Sequence, residues 1–375
     1  MSIFTIKEKF CKKNNLQFEE LQITGYEKIF KIKDEKSGLT AIIALHDLTL
    51  GMALGGIRIY PYDSFNSALV DALRLSKGMT YKSAIANVGF GGGKSVIIAD
   101  PKKDKTKELL MSFGYAVDYL NGQYICAEDM GCSTEDVMVI KNATNYVVGL
   151  PHKKSSGDPS VLTAYGVFRG IQASLKFFYN TDSLKGKKVA VQGLGNVGMN
   201  LCSLLYYAGA KIIVSDVEPE KIEIAKKKFR AFGVVPEKIY EVDCDVFSPC
   251  ALGGVLNSIN ISKLRAKIIA GAANNQLHSD LEGRTLKKKG ILYAPDFVIN
   301  AGGLLNVSVE LEKNGYSYQR AKNIVSKIYD SLLAIYEIAK SKNVSTNEAA
   351  IDLAKYKIRF KIGKRTNPPH FHHTL

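Results

Sequence analysis

Two lysines stand twelve positions apart in Lys82-Ser-Ala-Ile-Ala-Asn-Val-Gly-Phe-Gly-Gly-Gly-Lys94, joined by glycine and small residues. A glycine run lets the backbone take φ > 0 and pass close to a ligand, which bulky residues prevent. It leads into Ser95-Val-Ile-Ile98, which reads as a buried strand, so Lys94 is expected on a pinned turn. Two ammonium groups brought to one place repel, and an anion between them relieves the repulsion. A lysine desolvated beside another cation also loses basicity, as a general acid or base working near neutral pH requires. The residues equally admit a plainer reading, a glycine-rich turn between two solvated lysines. A phosphate-binding loop fits poorly. Gly93-Lys94-Ser95 matches its end, but Val88 stands where its first glycine belongs and a strand follows instead of a helix.

A second candidate is acidic. Gln123-Tyr-Ile-Cys126 predicts a strand that ends in Ala127-Glu-Asp-Met-Gly131. A carboxylate at the C-terminal end of a strand sits where α/β folds keep their chemistry, and either Glu128 or Asp129 suits that role. The alternative is a surface turn. His46, at the end of the strand predicted over Gly38–His46, reads as structural.

The third constellation is Gly193-Leu-Gly-Asn-Val-Gly198. The strand Lys187-Lys-Val-Ala-Val-Gln192 precedes it, and a helix over Met199–Ala208, the strand Lys211-Ile-Ile-Val-Ser215 and Asp216 follow. In such a unit the first glycine makes the tight turn, the second lets the backbone approach a pyrophosphate, and the third permits helix–strand packing. The pyrophosphate rests on the helix N-terminus, where unpaired N–H groups and the helix dipole favour an anion. Asp216, 23 residues after Gly193, is placed to accept hydrogen bonds from ribose hydroxyls. A carboxylate there repels a 2′-phosphate, so NAD is expected over NADP. A lone glycine triplet is weak evidence; in this strand–helix–strand setting it is strong.

These groups need elements to hold them. A helix and then a strand are expected before residue 35. Leu50-Gly-Met-Ala-Leu-Gly-Gly-Ile-Arg58 reads as a glycine-punctuated turn, apolar except at Arg58. From Ser64 or Asn66 a helix runs through Ala68, Leu69, Ala72, Leu73 and Ser76 and delivers Met79 and Lys82 at its end. Further helices are expected over about 106–120 and 163–178, with Ser155-Ser-Gly-Asp-Pro159 as a hinge between domains. The βα alternation continues through strands at 242–246, 267–271 and 291–293. Their ends, Pro249-Cys250, Asn274-Asn275 and Asp296 to Gly303, are expected to line the nicotinamide side of a cleft. Helices over about 317–341 and 344–362 close the chain. The tail from Arg365, with His370, His372 and His373, reads as a disordered end and not a metal site.

Composition sets the bounds. At 375 residues, 46% hydrophobic and 23% charged, the chain reads as a two-domain globular protein. The formal charge of +15 raises nucleic acid as a partner, but the lysines are dispersed and carry no nucleic-acid-binding signature. Six cysteines without a Cys-x-x-Cys pair read as reduced thiols of a cytoplasmic protein. No stretch suits a secretory signal or a membrane span, so no membrane partner is expected.

Taken together, Leu54-Gly-Gly56, Arg74-Leu-Ser-Lys-Gly-Met-Thr-Tyr-Lys82, Gly91-Gly-Gly-Lys94, Ala127-Glu-Asp129, Thr163-Ala-Tyr-Gly166, Gly193-Leu-Gly-Asn-Val197, Asn274-Asn-Gln276 and Asn300-Ala-Gly-Gly303 carry a resemblance. In order and spacing the chain resembles the glutamate/leucine/phenylalanine/valine amino-acid dehydrogenase superfamily from about residue 30 to 340, and within it the leucine dehydrogenases. The resemblance implies that Lys82, with the Gly55-Gly56 backbone, binds the substrate α-carboxylate. It implies that Lys94 activates the water that attacks the iminium carbon, and that Asp129 exchanges protons with the substrate amine. Met79 falls at a further substrate position. The cofactor positions implied are Gly193, Gly195, Asn196, Val197, Gly198 and Asp216, with Thr163, Asn274 and Asn300. The expected reaction is reversible: L-amino acid, NAD and water give 2-oxo acid, ammonium and NADH.

In that superfamily the position matching Leu54 is lysine when the substrate side chain is acidic. Here it is aliphatic, so glutamate would lack a charged partner and lose solvation. Ala127, Leu304 and Val307 fall at the other pocket positions, and the set suits leucine, valine or isoleucine. Leu304 departs from the usual valine, which leaves the ranking among them open; one methylene is worth about 1–3 kcal/mol. Phenylalanine or valine dehydrogenase is the rival, and a basic nucleic-acid-binding protein that retains a Rossmann domain is a remote one. The expected architecture is α/β: a substrate domain over 1–150 and a doubly wound Rossmann NAD domain over 151–340, with a cleft between them. Residues 341–375 would form a helix returning to the first domain, and a tail. The resemblance also implies a homo-oligomer, an octamer.

Overall fold

Strand residues alternate between two faces of a sheet, and that period of two sorts the first half of the chain. A computed structural model describes residues 14–151 and 155–372. By contact the chain divides into two units, one of residues 1–158, 307–317 and 357–375, the other of residues 159–306 and 318–356.

In the first unit the elements are β1 (Gln17–Glu20), β2 (Lys28–Asp34), β3 (Leu39–Asp47), β4 (Ala53–Tyr60), α1 (Phe65–Ala86), β5 (Gly91–Ile98), α2 (Lys107–Tyr119), β6 (Tyr124–Glu128) and α3 (Thr134–Lys141). They form one sheet in the order β1-β2-β3-β5-β4-β6. β4 runs parallel to both β5 and β6, and the remaining pairs are antiparallel. Ile43, Leu45, Ala53, Ile57, Ile97 and Cys126 pack on one face with Leu109, Phe113 and Val117 of α2 and Ile140 of α3. On the other face Ile42, Ala44 and Val96 pack with Ala68 and Ala72 of α1. By the same alternation Leu54, Gly56, Arg58, Gly92 and Lys94 belong to the α1 face.

Helix α1 starts where Ser64 accepts a hydrogen bond from the Ser67 N–H, in a reciprocal capping box. It ends at Asn87, in the left-handed conformation at φ 57°. Its buried stripe of Ala68, Ala72, Ser76, Thr80 and Ala84 is made of small residues at i, i+4 spacing. That allows a close approach to β5: a Cβ on Gly92 would lie 2.2 Å from the Thr80 backbone nitrogen.

Two sequence expectations fail here. Leu50–Arg58 is not a turn, because its second half is strand β4. Gly91, Gly92 and Gly93 are extended residues of β5, and of the four glycines in this stretch only Gly89 has positive φ, at 69°. Lys94 therefore sits inside a strand rather than on a turn. These glycines are required by crowding, not by backbone freedom. The helix expected at the N-terminus falls largely outside the described residues.

The second unit contains α4 (Ser160–Tyr179), β7 (Lys188–Gln192), α5 (Asn196–Tyr207), β8 (Lys211–Ser215), α6 (Pro219–Phe229), β9 (Phe232–Gly233), β10 (Val246–Pro249), α7 (Ser258–Lys263), β11 (Ile268–Ile269), α8 (Asp280–Lys288), β12 (Leu292–Tyr293) and α9 (Asp296–Ile299). Then follow α10 (Gly302–Glu310), whose last residues belong to the first unit, and α11 (Tyr318–Ser326), α12 (Ile328–Lys342) and α13 (Thr346–Arg359). The sheet is wholly parallel, in the order β12-β11-β10-β7-β8-β9, a doubly wound arrangement whose order reverses between β7 and β10. The strand expected at 242–246 forms instead at 246–249, since Asp243 and Asp245 engage Lys188 and Lys187 ahead of it.

The domain boundaries also differ from expectation. The first break lies at Asp158, inside the hinge expected over Ser155–Pro159 but past the boundary set at 150, and α13 belongs to the second unit up to Tyr356, where Thr346 donates to the Tyr293 carbonyl at 2.6 Å and Arg284 pairs with Glu348 at 2.8 Å. The tail from Lys357 docks within the first unit. The Arg365 N–H donates to the Leu50 carbonyl (2.9 Å), its guanidinium lies 4.1 Å from the Phe90 ring centroid, and the His370 N–H donates to Leu311 (3.1 Å). The disordered end expected there is thus not observed through His372, and His373 lies outside the described residues. Among the described residues no helix is long and apolar enough to cross a membrane, and no cluster of His, Cys, Asp and Glu suits a metal ion.

Candidate active site

Lys94 occupies the middle of β5, opposite Ala44 of β3. Its ammonium donates to Asp129 Oδ2 at 2.7 Å, and the side chain is only 5% exposed. Asp129 is the first residue after β6 and begins a tight turn in which the Cys132 N–H donates to its carbonyl at 2.9 Å. No side chain fits between the pair and β4. A Cβ on Gly56 would lie 2.7 Å from Asp129 Cβ and 3.0 Å from Lys94 Nζ. The Tyr124 hydroxyl donates to the carbonyls of Gly55 (3.1 Å) and Gly56 (3.3 Å), fixing that glycine pair from the opposite face.

A second cation reaches the same carboxylate. Arg58 donates through Nε to Asp129 Oδ2 at 3.1 Å and through Nη1 to Asp71 Oδ2 at 2.8 Å. Asp71, on α1, also accepts from the Tyr62 hydroxyl (2.5 Å) and from Arg74 (2.9 Å). Burial lowers the pKa of Lys94; Asp129 opposes this and Arg58 adds to it. Burial alone would raise Asp129, but Lys94 and Arg58 outweigh it and hold the carboxyl below its ordinary value. Glu128 has no such cation. Burial, with Asp158, Glu135 and Asp129 nearby, pushes it up to about 7. Of the two carboxylates left open by the sequence, Asp129 is the one joined to Lys94.

Lys82 and Met79 lie on the C-terminal half of α1, partly buried beside its small-residue stripe. Leu54 is buried on β4, paired with Gly92 and Ile125, and Ala127 on β6 pairs with Gly56. Val307 is buried in the first unit and Leu304 in the second. His46 is structural: its Nδ1 is 2.9 Å from the Thr80 hydroxyl and its ring meets Tyr26 edge-on. Arg58, Asp71, Tyr62 and Tyr124 have no role in the reading of the sequence alone. The signal available was a lone arginine in an otherwise apolar strand, which must find a counter-charge when buried.

In the second unit Gly193 has φ 95°, and Gly198 approaches it so closely that a Cβ would meet the Gly193 carbonyl oxygen at 2.0 Å. Gly195 caps α5 without a side-chain hydrogen bond, and a Cβ there would meet nothing within 4 Å. The turn thus leaves an open cradle at the start of α5, which includes Asn196 and Val197. Asp216 does more than the sequence suggested: Oδ2 accepts from the Leu194 N–H at 2.6 Å and Oδ1 from the Glu218 N–H at 2.9 Å, so it braces the glycine turn. Asn300 donates to the Ala272 carbonyl and to Asn274 Oδ1, while its own Oδ1 is buried without a partner. Thr163, on α4, lies against Gly303, where a Cβ would be 3.1 Å from its hydroxyl. An open cradle and an orphaned amide oxygen fit a dinucleotide with a carboxamide head.

A buried lysine–aspartate pair in one unit and a doubly wound, glycine-turn sheet in the other define an α/β oxidoreductase. Family models for the Glu/Leu/Phe/Val dehydrogenase dimerisation domain and for Glutamate/Leucine/Phenylalanine/Valine dehydrogenase match residues 26–146 and then 156–220 and 216–361. The chain belongs to the Glu/Leu/Phe/Val dehydrogenase family and is an amino-acid dehydrogenase. It is 48% identical to leucine dehydrogenase of Bacillus cereus over 91% of this chain and 93% of that protein. It is 51% identical to L-tryptophan dehydrogenase of Nostoc punctiforme over 92% and 96% of the two chains. The crystal structure of L-tryptophan dehydrogenase from that organism aligns with a TM-score of 0.78, covering 96% of this chain and 99% of that one. Phenylalanine dehydrogenase of Caldalkalibacillus thermarum is 47% identical over 88% and 90%.

Proposed function

We propose that the protein catalyses reversible oxidative deamination of branched-chain L-amino acids, leucine foremost and valine and isoleucine with it, using NAD. The observation that carries this reading is the buried Lys94–Asp129 pair. Lys94, lowered by burial, activates the water that attacks the imine carbon, and Asp129 exchanges protons with the substrate amine. Lys82, helped by the Gly55 and Gly56 backbone, takes the α-carboxylate. A nicotinamide dinucleotide supplies the hydride acceptor when bound; Gly193, Gly195, Asn196, Val197 and Gly198 would hold its pyrophosphate, Asp216 its ribose, and Thr163, Asn274 and Asn300 its nicotinamide side.

The aliphatic Leu54, on the same strand face as Gly56 and Arg58, supports an apolar substrate side chain; Ala127, Leu304, Val307 and Met79 complete that set. The Asp216 carboxylate favours NAD, since it would repel a 2′-phosphate. A second reading, an aromatic substrate, is favoured by the tryptophan and phenylalanine dehydrogenases, which are as similar to this chain as the leucine enzyme. The test is reduced-cofactor formation across L-leucine, L-valine, L-isoleucine, L-phenylalanine, L-tryptophan and L-glutamate, with NAD and with NADP. Leucine should give the highest kcat/KM, with NADP about tenfold worse or more from the like-charge clash. Phenylalanine or tryptophan well ahead would select the aromatic reading, and equal use of NADP would remove the role given to Asp216.

A further inference from the structure

Arg58 takes no part in the proposed chemistry, yet its guanidinium touches Asp129 directly. Both Arg58 Nε and Lys94 Nζ bond Oδ2, and Oδ1 has no hydrogen bond among the described residues. The far side of the guanidinium is tied to Asp71 on α1, itself fixed by Tyr62 and Arg74, so the arginine links the turn after β6 to α1. Its side chain is 12% exposed, which keeps its charge poorly screened.

We propose that Arg58 is a positioning residue for the Lys94–Asp129 pair, clamping one oxygen of Asp129 so that the other faces the substrate amine and keeping the carboxylate ionised when Lys94 gives up its proton. This rests on the deamination reading above. Without a fixed second cation, the proton leaving Lys94 would be shared with Asp129 and neither group would keep a defined role. Arg58 cannot itself deprotonate in this range, and its fork reaches two carboxylates at once, which one ammonium cannot do. The groups facing the pair are Arg58 from β4, Asp71 from α1 and, around Asp129, Tyr124, Glu128 and Cys132; Lys82 lies further along α1.

The sign follows from the charge. Arg58 lowers Lys94, so Arg58→Gln raises it, and the ascending limb of kcat/KM against pH in oxidative deamination should move about one pH unit or more to the alkaline side. Arg58→Lys keeps the charge but not the fork, so the limb should return toward its wild-type position while kcat stays reduced. Asp71→Asn loosens the anchor without removing the cation, so kcat should fall; because Asp71 raises Lys94, any displacement of the limb should be small and toward acid pH, opposite to that of Arg58→Gln. An Arg58→Gln limb at the wild-type pH, or an Arg58→Lys limb displaced equally far, overturns the proposal. Acylation of Lys94 by an amine-selective reagent, followed across pH by peptide mass spectrometry, reads the same midpoint without turnover. Equal midpoints in wild type and Arg58→Gln sink the inference. Wild type inactive on every L-amino acid, with midpoints still displaced, sinks only the deamination reading. Melting curves of each variant show whether it is folded.

Discussion

Lys94 and Lys82 are both cations on one side of a sheet, but their surroundings give them different work. Lys94 is buried against Asp129, whereas Lys82 is partly exposed on a helix. Lys94→Ala should lower kcat about 10²–10⁴-fold, the range for a lost general acid–base group, and change KM little. Lys82→Ala should chiefly raise KM, about tenfold to a hundredfold, as expected for one charged hydrogen bond to a carboxylate. Steady-state kinetics on leucine separate the two, and normal turnover by Lys94→Ala would remove its assigned role. The adjacent carboxylates divide in the same way. Asp129→Asn should behave like the Lys94 variant, because its charge is held by two cations. Glu128→Gln should leave kcat near wild type, since Glu128 meets neither cation and titrates near neutrality. A carboxylate after β6 was legible from the strand's end, which left Glu128 and Asp129 open; the family resemblance singled out Asp129, the one that the fold joins to Lys94. Arg58 was not given a role, because a sequence shows a lone charge but not the counter-charge 71 positions away that explains it.

Helix α1 sets how far those side chains reach, and its distance from β5 depends on Gly92. A methyl group there would fall 2.2 Å from the Thr80 nitrogen, a backbone atom that cannot rotate away. Gly92→Ala should therefore push α1 off the sheet, destabilising the unit by about 1–3 kcal/mol or more, the usual penalty for overpacking. Because α1 carries Met79 and Lys82, KM should rise together with the fall in Tm; a variant with wild-type Tm and KM would show that α1 is not held by this contact. The helix itself was readable in advance, since a serine cap and small residues four apart are local signals. The glycine run was not. Turn glycines and crowding glycines look alike in sequence, and only the partner strand and helix reveal which kind is present. The same ambiguity turned the first residues of β4 into an expected turn. In the second unit the turn expected at Gly193 and the close packing expected at Gly198 are both present, because those two positions each have their own steric requirement, while Asp216 has a bracing role that no spacing shows.

The formal charge of +15 belongs to the whole molecule rather than to the site. The cations that matter to the proposed chemistry are buried or partnered within the first unit, and the remaining lysines are dispersed along the chain, which suits repulsion between like subunits better than nucleic-acid binding. We propose a homo-oligomer, an octamer, in keeping with the dimerisation-domain description of the family model that matches residues 26–146. Light scattering in physiological salt should then give about eight times the 41.2 kDa chain mass. Assembly brings eight strongly basic surfaces together, and their repulsion is screened over about 8 Å at 0.15 M ionic strength but only over about 30 Å at 0.01 M. Lowering the salt should therefore shift the mass toward smaller species and lower Tm, the reverse of what an assembly held by exposed ion pairs would do. A mass of one chain at every salt concentration would remove the oligomer, and a mass that rises as salt is withdrawn would show that attraction between subunits outweighs their net charge.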